Sequence, residues 1–239
     1  MKKLLGILCC TIATNSFADK LQFFNYADKI DNLLIKSDLE GDKPDQVYFN
    51  HKLLNLAIPD NDQFNLQAKS EIGKYTIYML SSATHGVNKD PDICKFITTQ
   101  DHKTALVSVN FPCPIDYNAQ TINLVKGTLQ VKIHNYAAPN YKFYADENDI
   151  AIYSYDPTGN KITKIQDFKS DAYYRNKYAK ITAAQIYQIA DKDSCVDDEG
   201  ELSDSGVCNQ GAKYCAILKF SHNIGNDKDA RSLKKFCAQ

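Results

Sequence analysis

Apolar residues recur at helical spacing near the start of the chain and again in its last quarter, and between these stretches the pattern has period two. Phe23, Ala27, Ile30 and Leu34 fall on one helical face, with Asp28, Lys29, Asp31 and Lys36 on another, which predicts an amphipathic helix over residues 22–36 that ends before Gly41. Val47 to Ile58 is compatible with helix or strand and is closed by Pro59. Phe64, Leu66 and Ala68 then alternate, and Tyr75 to Leu80 is apolar and β-prone, so a hairpin is expected with Glu71-Ile72-Gly73 as its turn.

Ala105, Val107, Val109 and Phe111 alternate up to Pro112-Cys113-Pro114, where proline, lacking a donor, must end the strand. Leu129, Val131 and Ile133 oppose Thr128, Gln130, Lys132 and His134, the signature of a strand with one wet face. The clearest hairpin spans Ile150 to Ile165. Its turn Asp156-Pro157-Thr158-Gly159 carries Asp, Pro and Gly at the positions a type I turn prefers. Tyr153 and Tyr155 are expected to face Ile162 or Ile165 across it.

Helical spacing returns at Ala183, Ile186, Tyr187 and Ala190 behind a capping box, Thr182 to Gln185. Tyr214 to Phe220 reads as a buried strand. Ala230, Leu233, Lys234 and Cys237 predict a closing helix capped by Asn226 or Asp227. The fold class is therefore α+β: a mostly antiparallel β-sheet or sandwich-like core with short helices near the N- and C-termini.

The first eighteen residues change the picture. Lys2 and Lys3 precede an apolar run from Leu4 to Ala13, then Ser16-Phe17-Ala18 offers a small-x-small cleavage site before Asp19. This reads as a signal peptide over residues 1–18, followed by a single extracytoplasmic domain over residues 19–239, periplasmic or secreted. The run is well short of the roughly 20 residues a membrane-crossing helix needs, and no later stretch is continuously apolar for that length. Cys9 and Cys10 follow Leu8 and Cys9, whereas a lipid-modified Cys follows a small residue, so plain cleavage is expected over lipidation.

Losing Lys2 and Lys3 takes the formal charge from −1 to −3, which selects no partner. The basic residues are nearly all Lys, with only Arg175 and Arg231, so the planar fork suited to phosphate backbones is scarce and nucleic acid is not an expected ligand. Outside the leader, Cys94, Cys113, Cys195, Cys208, Cys215 and Cys237 make an even set, which in an oxidising compartment reads as a disulfide framework. Cys94 and Cys113 flank a strand-like run far from the rest and are paired. Cys195 with Cys208 and Cys215 with Cys237 complete the set, and Cys195 with Cys215 stays open. No C-x-x-C supports zinc.

Seven carboxylates crowd Asp191 to Asp204 against one Lys, and Asp193, Asp197, Asp198 and Glu199 are the candidate ligands for calcium, a hard cation that takes oxygen donors. The spacing is wrong for an EF-hand, because the glycine needed at the sixth loop position is Val196 or Asp198. A solvated acidic turn is the preferred reading, and no cofactor is expected. His51, His85, His102, His134 and His222 form no metal or catalytic spacing. Ser232-Leu233-Lys234-Lys235 matches S-x-x-K, but neither S-D-N nor K-T-G accompanies it, and nucleophile elbows and glycine-rich phosphate loops are absent.

Fifteen tyrosines and no tryptophan remain. Tyr153, Tyr155, Tyr173 and Tyr174 are the candidate recognition residues, since a rigid amphipathic ring loses little entropy on binding. The function expected is binding of a partner protein, host or envelope component, without catalysis. The alternative is a secreted hydrolase with a non-local Ser/His/acid site and His85 or His222 as base. The acidic turn gives the first test: the melting temperature is expected not to move at millimolar calcium, and a rise would make the turn a metal site.

Overall fold

The computed structural model describes residues 19–37, 44–56, 63–83, 93–114, 116–135, 142, 144–146, 149–179, 209–223 and 225. In chain order its strands are β1 (Lys20–Ala27), β2 (Lys29–Ile30), β3 (Leu33–Lys36), β4 (Gln46–Phe49), β5 (Lys52–Leu53), β6 (Gln63–Ile72) and β7 (Tyr75–Ala83). They continue as β8 (Ile93–Thr99), β9 (Leu106–Val107), β10 (Phe111–Pro112), β11 (Ile122–Val125), β12 (Thr128–His134), β13 (Ile150–Asp156) and β14 (Lys161–Gln166). Two helices follow, α1 (Asp171–Tyr178) and α2 (Asn209–Asn223). All described strand pairs are antiparallel, so the β-rich α+β class is the one observed.

The strands form three sheets. The largest runs β1-β6-β7-β8-β10 with β9 also on β8, the second β11-β12-β13-β14, and the third β2-β3-β4-β5. Both faces of the large sheet are buried. Ile77, Met79, Cys94 and Phe96 share one core with Ile122, Leu129, Val131, Ile133 and Tyr155 of the second sheet. Tyr78, Leu80 and Ile97, from the opposite face, share another with Leu33, Ile35, Val47 and Phe49 of the third. The Phe96 ring stacks between Phe111 at 4.7 Å and Tyr155 at 4.4 Å, which ties β8 and β10 to β13.

A bulge lets one strand serve both cores. In β6 the residues 64, 66, 68, 70 and 72 are all buried, as strict alternation requires, yet Phe64 and Leu66 belong to one core and Ala68 and Ile72 to the other. The pairing steps from Leu66↔Leu80 to Ala68↔Met79, leaving Gln67 as the extra residue that turns the strand over. Its amide donates to Ser81 Oγ at 2.6 Å.

β1 bulges in the same region, between Phe23 and Ala27, and this corrects the expected N-terminal helix. Phe23 lies in one core while Ala27 and Ile30 lie in the other, so the apparent helical stripe is a bulged strand that feeds both. Residues 22–36 are β1, β2 and β3. Tyr214 to Phe220 is likewise helix rather than strand: Ile217, Leu218 and Ser221 are buried, a helical spacing within α2. Val47 to Leu56 resolves as β4 and β5 followed by buried Leu56. The 105–111 alternation breaks at Ser108, whose Oγ accepts from Phe96 N at 2.9 Å, and Leu106 and Val109 are exposed.

Several expectations hold. The first hairpin turns at Gly73-Lys74, with Glu71 and Ile72 of the expected turn still in β6, and Gly73 has φ +56 where a two-residue loop of the II′ kind needs glycine. The 150–165 hairpin is β13–β14, with Asp156 accepting from Thr158 N at 2.9 Å; Tyr155 faces Ile162 and Tyr153 faces Lys164. Cys94 and Cys113 are bonded, Cα to Cα 5.0 Å, inside the core. Helix α1 starts at Ser170, whose side chain accepts from Tyr173 N. Buried Asp149 fastens the helix by accepting from Lys169 N and from Tyr174 O–H at 2.8 Å. The leader, the 182–190 helix and the closing helix lie outside the described residues.

The ring stack predicts where stability resides. Phe96→Ala is expected to cost about 3–5 kcal/mol, as a buried aromatic does, while Leu106→Ala, exposed, stays within about 0.5 kcal/mol. Urea unfolding midpoints of the two variants check this, and similar losses would deny Phe96 its place at the join.

Candidate functional site

The third sheet is a run of three short hairpins whose two faces differ. Leu33, Ile35, Val47 and Phe49 point into the core, and the Phe49 ring lies 6.4 Å from that of Tyr78. The opposite face carries a row in register, Lys29↔Leu34, Leu34↔Tyr48 and Tyr48↔Leu53, with Lys36 across from Gln46. Cross-strand partners share a face, so lysine, leucine, tyrosine and leucine stand side by side.

A groove of about 360 Å³ runs over this face, lined by Lys29, Asp31, Asn32, Leu33, Leu34, Lys36, Tyr48, Asn50 and His51. The Lys36 ammonium sits 4.9 Å from the centre of the Tyr48 ring, a cation–π contact that orients the charge. Tyr48 O–H donates to Gln46 Oε1 at 2.6 Å.

One end of the groove is held in an unusual backbone conformation. Asp31, Asn50, His51 and His102 have φ of +48, +49, +63 and +58, and they are four of the six described non-glycine residues in the left-handed region. Asp, Asn and His tolerate that region better than bulky residues, and clustered cases tend to mark functional ends. Hydrogen bonds lock the turns together. Asn50 N donates to Asn32 O at 2.9 Å, Asn32 Nδ2 to His102 O at 3.2 Å, and Asn50 Nδ2 to His102 O and to Lys103 O. Asp101 closes its own loop by accepting from Lys103 N and Thr104 N, which hold its carboxyl below the usual range.

Beneath the groove, Asp31 accepts from Lys69 Nζ at 2.9 Å and from Tyr78 O–H at 3.0 Å. The Lys69 hydrogen bond lowers the Asp31 pKa, against a smaller opposing effect of burial. Burial disfavours the Lys69 ammonium, but its bonds to Asp31 and Glu71 outweigh this and its pKa is raised. Burial, and then Asp31, push the Tyr78 phenol well up. Asp31 is thus committed to its two partners, while Lys29 and Lys36 have no carboxylate partner among the described residues.

The tyrosines singled out from sequence are not brought together. Tyr155 is fully buried, with its O–H against Thr98 Oγ1 and Asn160 Oδ1, and Tyr153 is half-buried 6.3 Å from Phe111. Tyr174 is fully buried in a separate cluster with Tyr178, Ile217 and Leu218. Tyr173 is 44% exposed, beside Lys169. Asp193, Asp197, Asp198, Glu199, Cys195, Cys208, Cys237 and His85 lie outside the described residues, as does the side chain of Cys215. His222 is exposed near the end of α2.

Among the described residues, no three His, Cys, Asp or Glu gather as metal ligands, and no helix is long and apolar enough to cross a membrane. Sequence reasoning missed the groove because the helical reading made Asp31 and Lys36 a solvated face. The dipeptide Asp31-Asn32, a turn pair followed by the apolar run Leu33-Leu34-Ile35, was the signal for a hairpin. Comparison with protein-family models, curated proteins and solved structures finds no match.

The Asp31–Lys69 pair gives a pH test. A carboxyl whose pKa lies below its ordinary 3.8 stabilises the fold above that pH, and the contribution is lost as pH falls through the depressed value. Asp31→Asn is expected to lower the urea midpoint at neutral pH, with the gap to wild type closing in acid. A gap that is constant across that range would show that the ion pair contributes nothing.

Proposed function

We propose that this chain is an exported, disulfide-tied protein that acts by binding an envelope, host or partner component, and that the groove across β2–β5 is where it binds. In this reading residues 19–239 form one domain in which the sheets stack sandwich-fashion, and the leader before Asp19 is removed on export. The observation that carries the proposal is the groove itself: an apolar floor of Leu34 and Tyr48, two lysines, and a rim fixed by interlocked left-handed turns. A few convergent polar groups around an apolar concavity are the usual anatomy of a ligand site. Rigid turns favour affinity, because little conformational freedom remains to be lost on binding.

Co-sedimentation with cell-envelope fragments tests it. The oxidised chain starting at Asp19 is expected to sediment with the fragments, and Tyr48→Ala and Lys36→Glu to weaken this by about tenfold or more, the loss of one central contact. Both variants should melt with wild type, since neither side chain belongs to the core. Undiminished sedimentation of both variants would move the site elsewhere. Release of new reducing ends or amino groups from the fragments would make the protein a hydrolase.

A further inference from the structure

We propose that the groove takes a small acidic saccharide, a sugar ring bearing a carboxylate or a phosphate; this rests on the binding reading above and names its ligand class. Lys29 stands directly across from Leu34 in the β2–β3 pairing, and Lys36 is two residues further along β3, so both lysines rise from the face on which Leu34 lies. Among the described residues, no carboxylate pairs with either ammonium. The nearest acid in the lining, Asp31, is already bound by Lys69 and Tyr78. Two cations that no described carboxylate pairs, flanking an apolar floor, select an anion.

The rest of the lining selects what the anion is attached to. Leu34 and half-buried Tyr48 give a flat apolar surface that an inorganic ion would leave wet and that the C–H face of a sugar ring covers. Asn32 and Asn50 line the groove and commit their amide nitrogens to the carbonyls of the 102–103 loop, so the acceptors they retain are their amide oxygens, which no described donor occupies. Acceptors at the rim suit hydroxyl donors. A ligand with an anionic group, an apolar face and hydroxyls is an acidic sugar.

An acidic peptide fits less well. Extended peptides are read by main-chain hydrogen bonds along a sheet edge, whereas this groove crosses a sheet face between edge strands two residues long. Its volume of about 360 Å³ is near the small end of ligand pockets, which span about 300–1,000 Å³.

Calorimetric and amide-shift titrations of the oxidised chain beginning at Asp19 test the assignment, with glucuronate, a hexose phosphate, neutral glucose and triglutamate as probes. Either or both acidic sugars are expected to bind and to shift β2–β4 amides, with glucose about tenfold weaker or worse. Binding by only one of them identifies carboxylate or phosphate as the charge recognised. Lys29→Ala and Lys36→Gln should each weaken binding about tenfold without lowering the melting temperature, the loss of one charge-assisted contact. Tyr48→Phe should bind as wild type, because its hydroxyl is held by Gln46.

Triglutamate binding as tightly as the sugars would overturn the proposal in favour of an acidic peptide. Equal binding of glucose, or no binding of either acidic sugar, would overturn it outright. If envelope association still fails in Lys36→Glu while no acidic sugar binds, the ligand class is wrong and the binding reading stands. If envelope association is also unaffected, both fall.

Discussion

In β7 the four consecutive residues Ile77, Tyr78, Met79 and Leu80 are all buried, and only a strand covered on both faces can achieve this. Burying each such side chain stabilises the fold by about 1.5–3 kcal/mol, but only if something apolar lies on each side of the sheet. The second and third sheets supply those two covers, so their existence follows from the composition of β7 and β8. The cost falls on polar groups caught between. Thr98 meets the Tyr155 hydroxyl, and Lys95, its pKa lowered by burial, reaches Ser108 O at 3.3 Å. Ser70 Oγ and Thr99 Oγ1 have no partner among the described residues.

Local signals that specify backbone conformation were readable. Asp156-Pro157 with Gly159 made a turn, Gly73 made a turn, and the Leu129, Val131, Ile133 alternation gave the buried face of β12. The Cys94–Cys113 bond followed from their isolation in sequence. Periodicity failed where a strand changes faces. Phe23 and Ala27 keep a helix-like spacing because a bulge separates them, Ile30 and Leu34 because a turn does, and a pattern read against one core cannot reveal a second. A short apolar run such as Tyr214 to Phe220 suits helix or strand equally, and the packing of Ile217 and Leu218 against Tyr174 and Tyr178 decides it.

The groove was harder to see than the fold, for a reason that lies in pairing. Lys29, Leu34, Tyr48 and Leu53 are scattered along the chain and become neighbours only through register. A count of fifteen tyrosines carries no information about which face the rings occupy. Tyr155 and Tyr174 turn inward, and each hydroxyl has a buried partner there, Thr98 and Asp149.

The inversion at Gln67 links the two interiors mechanically. β7 reaches both cores by alternation, whereas β6 passes from one core to the other in mid-course and β1 beside it does the same, so both cores hang on the same ladder. The two cores are therefore joined through the β1–β6 ladder, and β1 leads directly into the β2–β3 turn at the rim of the groove.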